Sequence, residues 1–259
     1  MNKFRNLFFV LMIFISAPLL ASDLAKEQRW ADQIVDFIID GEAEWLTVNN
    51  HKILSIYTEA QTAKVIGGAI IIHGSGVHPN WEEIVQPLRT ALPEKGWSTL
   101  SIQMPVLAND ADHSEYANTF DEVPPRINAA IKFLKQKNIN NIVIIAHSLG
   151  STMSAYYLST NKNHGIKAFV AVGMPGPDKS DPNKDKRMNN LHSIKSIHIP
   201  MLDLYGSKDL ESVKNSADAR KQSAQKNAHY SQMVTQGANH FYTGKNTELI
   251  NTVTHWLDK

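Results

Sequence analysis

The chain has 259 residues, 42% of them hydrophobic, and a formal charge of +1. This suits one α/β domain with a sizeable core, excludes wholesale disorder and gives no electrostatic basis for capturing nucleic acid. The absence of cysteine excludes disulfides, a cysteine nucleophile, thiolate metal sites and lipid attachment through an N-terminal cysteine.

Lys3 and Arg5 precede a 14-residue apolar run, Leu7 to Leu20, that ends at Ala21-Ser22. A basic start, a short apolar stretch and a closing small residue predict a secretory signal peptide over residues 1–21. The run is short of the roughly 20 residues that cross a bilayer as a helix, so no stable membrane span is expected once the signal is cleaved. An uncleaved N-terminal anchor is the alternative, because Leu19 is a poor residue at the third position before the cut. Residues 22–259 are then one exported domain, periplasmic or secreted. Loss of the two basic leader residues takes its charge to −1.

Glu27 to Asp40 has helical periodicity, with Trp30, Ile34, Phe37 and Ile38 on one stripe and Gly41 as the stop. Residues 44–48 and 52–58 read as a hairpin turning at Asn49-Asn50. Ile66 to His73 is a near-continuous apolar run, as in a strand buried on both faces. A helix follows from Trp81 to Leu92, with Asn80 as its N-cap, and then a strand from Trp97 to Met104. Asn109 to Glu115 lacks the spacing of a calcium loop and reads as solvated. Beyond it come helix 123–136, strand 141–146, helix 149–159, strands 167–173 and 199–205, helix 211–225, strand 229–235 and helix 245–257. This alternation predicts a mostly parallel central sheet of about eight strands with helices on both faces. Residues 175–197 carry prolines, Asp178 and many charges, and are too long for an ordinary connection. They form either a small lid insertion or a solvated excursion.

Chemistry concentrates at three strand ends. Ile142-Val143-Ile144-Ile145 runs into Ala146-His147-Ser148-Leu149-Gly150, a small-X-Ser-X-Gly turn between strand and helix. This is the nucleophile-elbow pattern, which exposes a serine on a strained turn. Serine needs a base to take its proton and a third group to orient that base. The chain supplies both in the order acid, then histidine: Asp209 in Gly206-Ser207-Lys208-Asp209, and His240 in Gly237-Ala238-Asn239-His240. Asp178 also follows a strand and competes for the acid's role, whereas Asp203 lies within a strand pattern and reads as a core or edge polar group. A second signature, His73-Gly74-Ser75-Gly76, follows the strand ending at residue 72. Acyl transfer builds charge on the carbonyl oxygen, which backbone N–H groups can stabilise. The expected donors are Leu149 and either Ser75 or Gly76. No His-Glu-X-X-His pattern accompanies the histidines, so neither a metal nor any other cofactor is expected.

These motifs resemble the α/β-hydrolase superfamily over nearly all of residues 44–259. His73 to Trp81, with Gln103-Met104-Pro105-Val106-Leu107, more specifically resembles a family of exported α/β-hydrolase-like proteins of Gram-negative bacteria with no defined function. The resemblance implies the fold and the Ser148, Asp209 and His240 positions. It adds His78 and Trp81 at the entrance, and His73 and His147 complete the expected substrate-binding set. The expected activity is hydrolysis of a carboxylic ester, or a related thioester or amide, in a small-molecule or lipid-like acyl substrate. Acyl transfer to another alcohol would use the same residues. The competing reading is a non-catalytic binding or envelope-assembly protein on the same scaffold.

Overall fold

The computed structural model describes residues 21–177 and 185–259; the expected leader up to Leu20, Asp178 and the middle of the expected lid lie outside the described residues. Its centre is an eight-stranded sheet in the order β1-β2-β4-β3-β5-β6-β7-β8. β1 (Glu42–Val48) and β2 (His51–Thr58) form the antiparallel hairpin, turning at Asn49 with φ +52°. β2 also runs antiparallel to β4 (Trp97–Ile102). The remaining pairings, among β3 (Gly67–Ile72), β4, β5 (Ile142–His147), β6 (Ile166–Val172), β7 (Met201–Lys208) and β8 (Tyr230–Asn239), are parallel.

The continuous apolar runs occupy the middle because a parallel sheet is covered on both faces. Side chains alternate along them. Ile70, Ile72, Ile144 and Phe169 enter the core beneath α3 (Val123–Gln136) and α4 (Leu149–Thr160). Ile71, Val143, Ile145 and Val170 enter the opposite core, beneath α2 (Val85–Ala91) and α8 (Asn246–Leu257). Each such side chain contributes about 1.5–3 kcal/mol by leaving water. A third, smaller core joins α1 (Leu24–Val35) to Leu54 and Ile56 of β2.

Several elements depart from the sequence expectations, among them β8, which runs on to Asn239, past the strand end expected at residue 235. α1 begins at Leu24, with Asp23 accepting the Lys26 N–H, and stops at Val35, so Phe37 is left 77% exposed. The chain must turn here to enter β1: a Cβ on Gly41 would lie 2.4 Å from the Tyr57 carbonyl oxygen, and the Asp40 carbonyl accepts a hydrogen bond from buried Arg89. Asn80 caps nothing, because its side-chain oxygen accepts Arg89 Nη2 at 2.9 Å and α2 starts only at Val85. The helix expected over 211–225 is two, α6 (Glu211–Lys214) and α7 (Ala217–Ser223). At the break the Ser216 hydroxyl donates to the Ser212 carbonyl at 2.6 Å, and Arg220 Nη1 donates to the Val213 carbonyl at 2.8 Å. Side-chain bonds of this kind compete with a continuous helix. Between β6 and β7 the chain forms a short helix, α5 (Asn190–Ile194), capped by Asn189.

Asp203, inside β7, is a core group as expected. Its Oδ2 accepts Arg220 Nε at 2.7 Å, the Tyr230 hydroxyl at 2.7 Å and Gln232 Nε2 at 2.9 Å. Both members of the ion pair are fully buried. Breaking such a pair strands a charge away from water. Arg220→Met is therefore expected to lower the unfolding free energy by about 3–5 kcal/mol, read from the shift of the urea unfolding curve.

Candidate active site

The sheet brings the carboxyl ends of β3, β5, β6, β7 and β8 to one rim, and the expected site residues meet there. Ser148 sits between β5 and α4 with φ +51°, a conformation that costs a non-glycine residue energy and persists only when its surroundings enforce it. The enforcement is steric. A Cβ on Gly150 would lie 2.2 Å from the His73 carbonyl oxygen, and one on Gly74 would lie 3.1 Å from Ser148 Cβ. The two backbones approach this closely only because position 150 is glycine. Ala146, in the first small position of the elbow, is buried in the core.

His240 Nε2 lies 3.0 Å from Ser148 Oγ, and His240 Nδ1 lies 2.6 Å from Asp209 Oδ1. With Nδ1–H donated to the carboxylate, Nε2 is left to accept the serine proton. The Asp209 carboxylate also accepts the Leu210 N–H at 2.8 Å and the Gly206 N–H at 3.2 Å. Burial alone would raise this carboxyl, but the hydrogen bond and charge of His240, with the two amides, hold it below the usual aspartate value. Gly173, at the end of β6, has φ +60°, and a Cβ there would lie 3.1 Å from the His240 ring.

The other histidines separate into distinct roles. His147 is buried, and its Nε2 donates to the His240 carbonyl at 3.0 Å. Its ring lies 4.7 Å from that of His240. It reaches the cavity wall, but it also fixes the backbone that carries His240. His73 does not line the cavity, contrary to the sequence expectation. Its Nδ1 donates to the Gly74 carbonyl at 2.7 Å, while Nε2 accepts the Met104 N–H at 2.9 Å and lies 3.1 Å from Gln103 Nε2. Every polar atom of the ring is occupied and the residue is 1% exposed, so it shapes the Gly74 turn from behind. His78 is likewise absent from the wall: its ring packs edge-on between Trp30 and Trp81, 5.6 Å from each, and burial pushes it down to about 4. Trp81 does line the cavity.

Of the two upstream oxyanion candidates, Gly76 donates its N–H to the Tyr116 hydroxyl at 3.1 Å. Ser75 and Leu149 both border the cavity. Leu149 is the first residue of α4, so its N–H has no acceptor within the helix, and the positive end of the helix dipole adds to its pull on a developing anion.

The cavity over Ser148 has a volume of about 950 Å³. Val77, Trp81, Leu149, Met188, Leu210 and Phe241 supply apolar wall; Asn189, Asn190 and Asn215 supply polar wall. Pocket walls are expected from residues 104–120 and 175–197; the first contributes His113 and the second residues 175–177, Asp185 and residues 188–191, whereas the wall built by residues 210–219 lies outside that expectation. Its signal lies beside Asp209, since any segment leaving that strand end must pass the site. Among the described residues no group of three or more metal-ligating side chains converges, and no helix is long and apolar enough to cross a membrane.

A family described as "Protein of unknown function (DUF3530)" matches residues 22–125 and 107–259. No curated protein matches the chain. Solved structures that resemble it include Est1E from Butyrivibrio proteoclasticus with ferulic acid bound, at 17% identity and a TM-score of 0.66, covering 83% of this chain and 98% of that one. The esterase Pf2001 from Pyrococcus furiosus aligns at 19% identity and a TM-score of 0.63, covering 87% and 94%. A putative dienelactone hydrolase from Klebsiella pneumoniae aligns at 14% identity and a TM-score of 0.66, covering 84% and 98%. Likeness at such low identity fixes the architecture: this is the α/β-hydrolase fold.

Burial pushes both His73 and His147 down to about 3. Unfolded, each binds a proton near pH 6.5. Between those values the unfolded chain holds two more protons than the folded one, so stability falls as pH drops. The loss from these two rings approaches about 2.7 kcal/mol per pH unit below pH 6.5. Urea unfolding at pH 7, 6 and 5 measures it, and a flat profile would contradict the neutral assignment of the rings.

Proposed function

This chain belongs to the DUF3530 family, and from that premise we propose that it is an exported serine hydrolase acting on carboxylic esters. The observation that carries the reading is the unbroken run of hydrogen bonds Ser148 Oγ–His240 Nε2 and His240 Nδ1–Asp209 Oδ1 at the floor of an open cavity.

Ser148 Oγ attacks the substrate carbonyl carbon while His240 Nε2 takes the hydroxyl proton. Asp209 holds the imidazole in the tautomer that frees Nε2 and stabilises the imidazolium that forms. The negative charge on the carbonyl oxygen is met by the Leu149 N–H and by the Ser75 turn, which His73 and Tyr116 hold from behind. The imidazolium then protonates the leaving alcohol, leaving an acyl group on Ser148. Water, deprotonated by His240, releases the acid. No cofactor enters any step. Esters are favoured because an alkoxide leaves with less assistance than an amide nitrogen. The apolar wall suits an acyl or aryl group, and likeness to structures described as esterases supports the same class. The leader-like sequence of residues 1–21 supports export to the periplasm or beyond.

A fluorophosphonate probe tests the mechanism. The wild-type protein is expected to label, and Ser148→Ala and His240→Ala, both folded, to lose the label. On p-nitrophenyl esters of graded chain length, Ser148→Ala should lower kcat by about 10⁴-fold or more, and Asp209→Asn by about 10⁴-fold. A folded wild-type protein that neither labels nor turns over ester would overturn the hydrolase reading in favour of a binding protein.

A further inference from the structure

Away from the cavity, a buried charged cluster joins the start of the described chain to α3. Arg126 is fully buried and donates from Nη1 and Nη2 to both oxygens of Glu27, at 2.8 and 3.0 Å. Its Nη2 also lies 3.1 Å from Glu122 Oε2 and 3.3 Å from Ser22 Oγ. The Glu122 carboxylate faces the chain at residues 21 and 22. Its Oε1 accepts the N–H of Ala21 at 2.9 Å and of Ser22 at 3.0 Å, and its Oε2 accepts the Ser22 hydroxyl at 2.6 Å. The Asp23 N–H continues the docking by donating to the Val106 carbonyl at 2.8 Å.

Two observations make this more than a surface tether. The first is charge. Two carboxylates, each almost wholly buried, face one guanidinium, so the cluster is short of one positive charge. Lys26 does not supply it, since its ammonium is engaged by the Leu107 carbonyl and the Asn109 side chain. Burial raises the Glu27 carboxyl against the pull of Arg126, and Glu122 adds to the rise. The second is position. Ala21 is exposed and Ser22 is buried, and the bond between them is the one where the sequence predicts signal cleavage. A cut there leaves a small residue, Ala21, on its leader side, whereas a cut one residue earlier would leave Leu20.

We propose that Glu122 is the receptor for the amino terminus of the processed protein: hydrolysis of the Ala21–Ser22 bond frees an α-ammonium on Ser22 that binds the buried Glu122 carboxylate and completes the Glu27–Arg126–Glu122 cluster. Water adds across the peptide bond. Ala21 leaves with the carboxylate, and the Ser22 nitrogen takes a proton to become the missing cation. The hydrolysis belongs to a signal peptidase acting on the unfolded precursor, and the ammonium docks as the domain folds. The inference rests on the leader reading and is independent of the hydrolase reading.

The test uses the full chain, expressed in an exporting bacterial host and purified from the envelope or medium. Intact mass is expected to correspond to residues 22–259, with serine first. A retained leader, or any other first residue, overturns the proposal. The α-amine of the purified protein is then reacted with cyanate near pH 7, where only unprotonated amine reacts. An ammonium bound to Glu122 should titrate above the usual value of about 8, so carbamylation should be about tenfold slower than in the same protein unfolded in guanidinium chloride. Glu122→Gln should bring the folded rate up to the unfolded one. The guanidinium comparison stands alone if that variant does not fold. A folded wild-type amine reacting at the unfolded rate also overturns the proposal.

Discussion

Everything at the rim depends on how closely the β5–α4 turn approaches the end of β3. A Cβ at position 150 would stand 2.2 Å from the His73 carbonyl oxygen, well inside contact distance, so the packing exists only with hydrogen there. That approach lets Ser148 keep φ +51° and brings its hydroxyl to His240. The strain is held because the elements on either side cannot move: β5 is buried along its whole length, and the first seven residues of α4 are buried as well. Cores packed to crystal-like density yield little to local strain.

Around this centre the molecule places two buried charged clusters. Asp203–Arg220 ties α7 to the sheet beneath Asp209, and Arg126 ties α1 and the start of the domain to α3. Arg126 Nη1 also donates to the Gln103 carbonyl at 3.1 Å, and the Gln103-Met104 backbone and side chain in turn hold His73. The N-terminal docking and the Gly74 turn are thus joined by consecutive hydrogen bonds. Buried pairs often add little net stability, but their directional bonds specify one arrangement over others.

The sequence made the sheet legible because its central strands are apolar runs that no exposed segment would carry. It made Ser148, Asp209 and His240 legible because strand ends in such sheets converge and the order along the chain matches the chemistry. What it hid was decided by contacts between distant segments. Phe37 and Ile38 fit a helical stripe, yet the turn into β1 stops α1 before they are reached. The 211–225 helix breaks because Ser216 and Arg220 take backbone carbonyls. His73 has the sequence position of a substrate contact, beside glycine, but its ring is turned inward by Gln103 and Met104, thirty residues away. The role of Gly173 appears only when His240, 67 positions later, is folded over it.

The same close approaches divide the rim into two halves with different scope for change. On one side Gly150 leaves no space for an added carbon, Gly74 and Gly173 are closely approached by their neighbours, and both ring nitrogens of His73 and Nε2 of His147 are committed to neighbouring backbone. On the other, Leu210 and Phe241 are 51% and 42% exposed while still lining the cavity, and Asn189 and Asn215 border it from short helical turns. Substitutions that diversify the chain across lineages, or in a laboratory library, can accumulate on the second half without disturbing the first. New specificities in this scaffold should therefore arise at the less buried lining residues 189, 191, 210–212, 215, 219 and 241, with the nucleophile turn inherited intact.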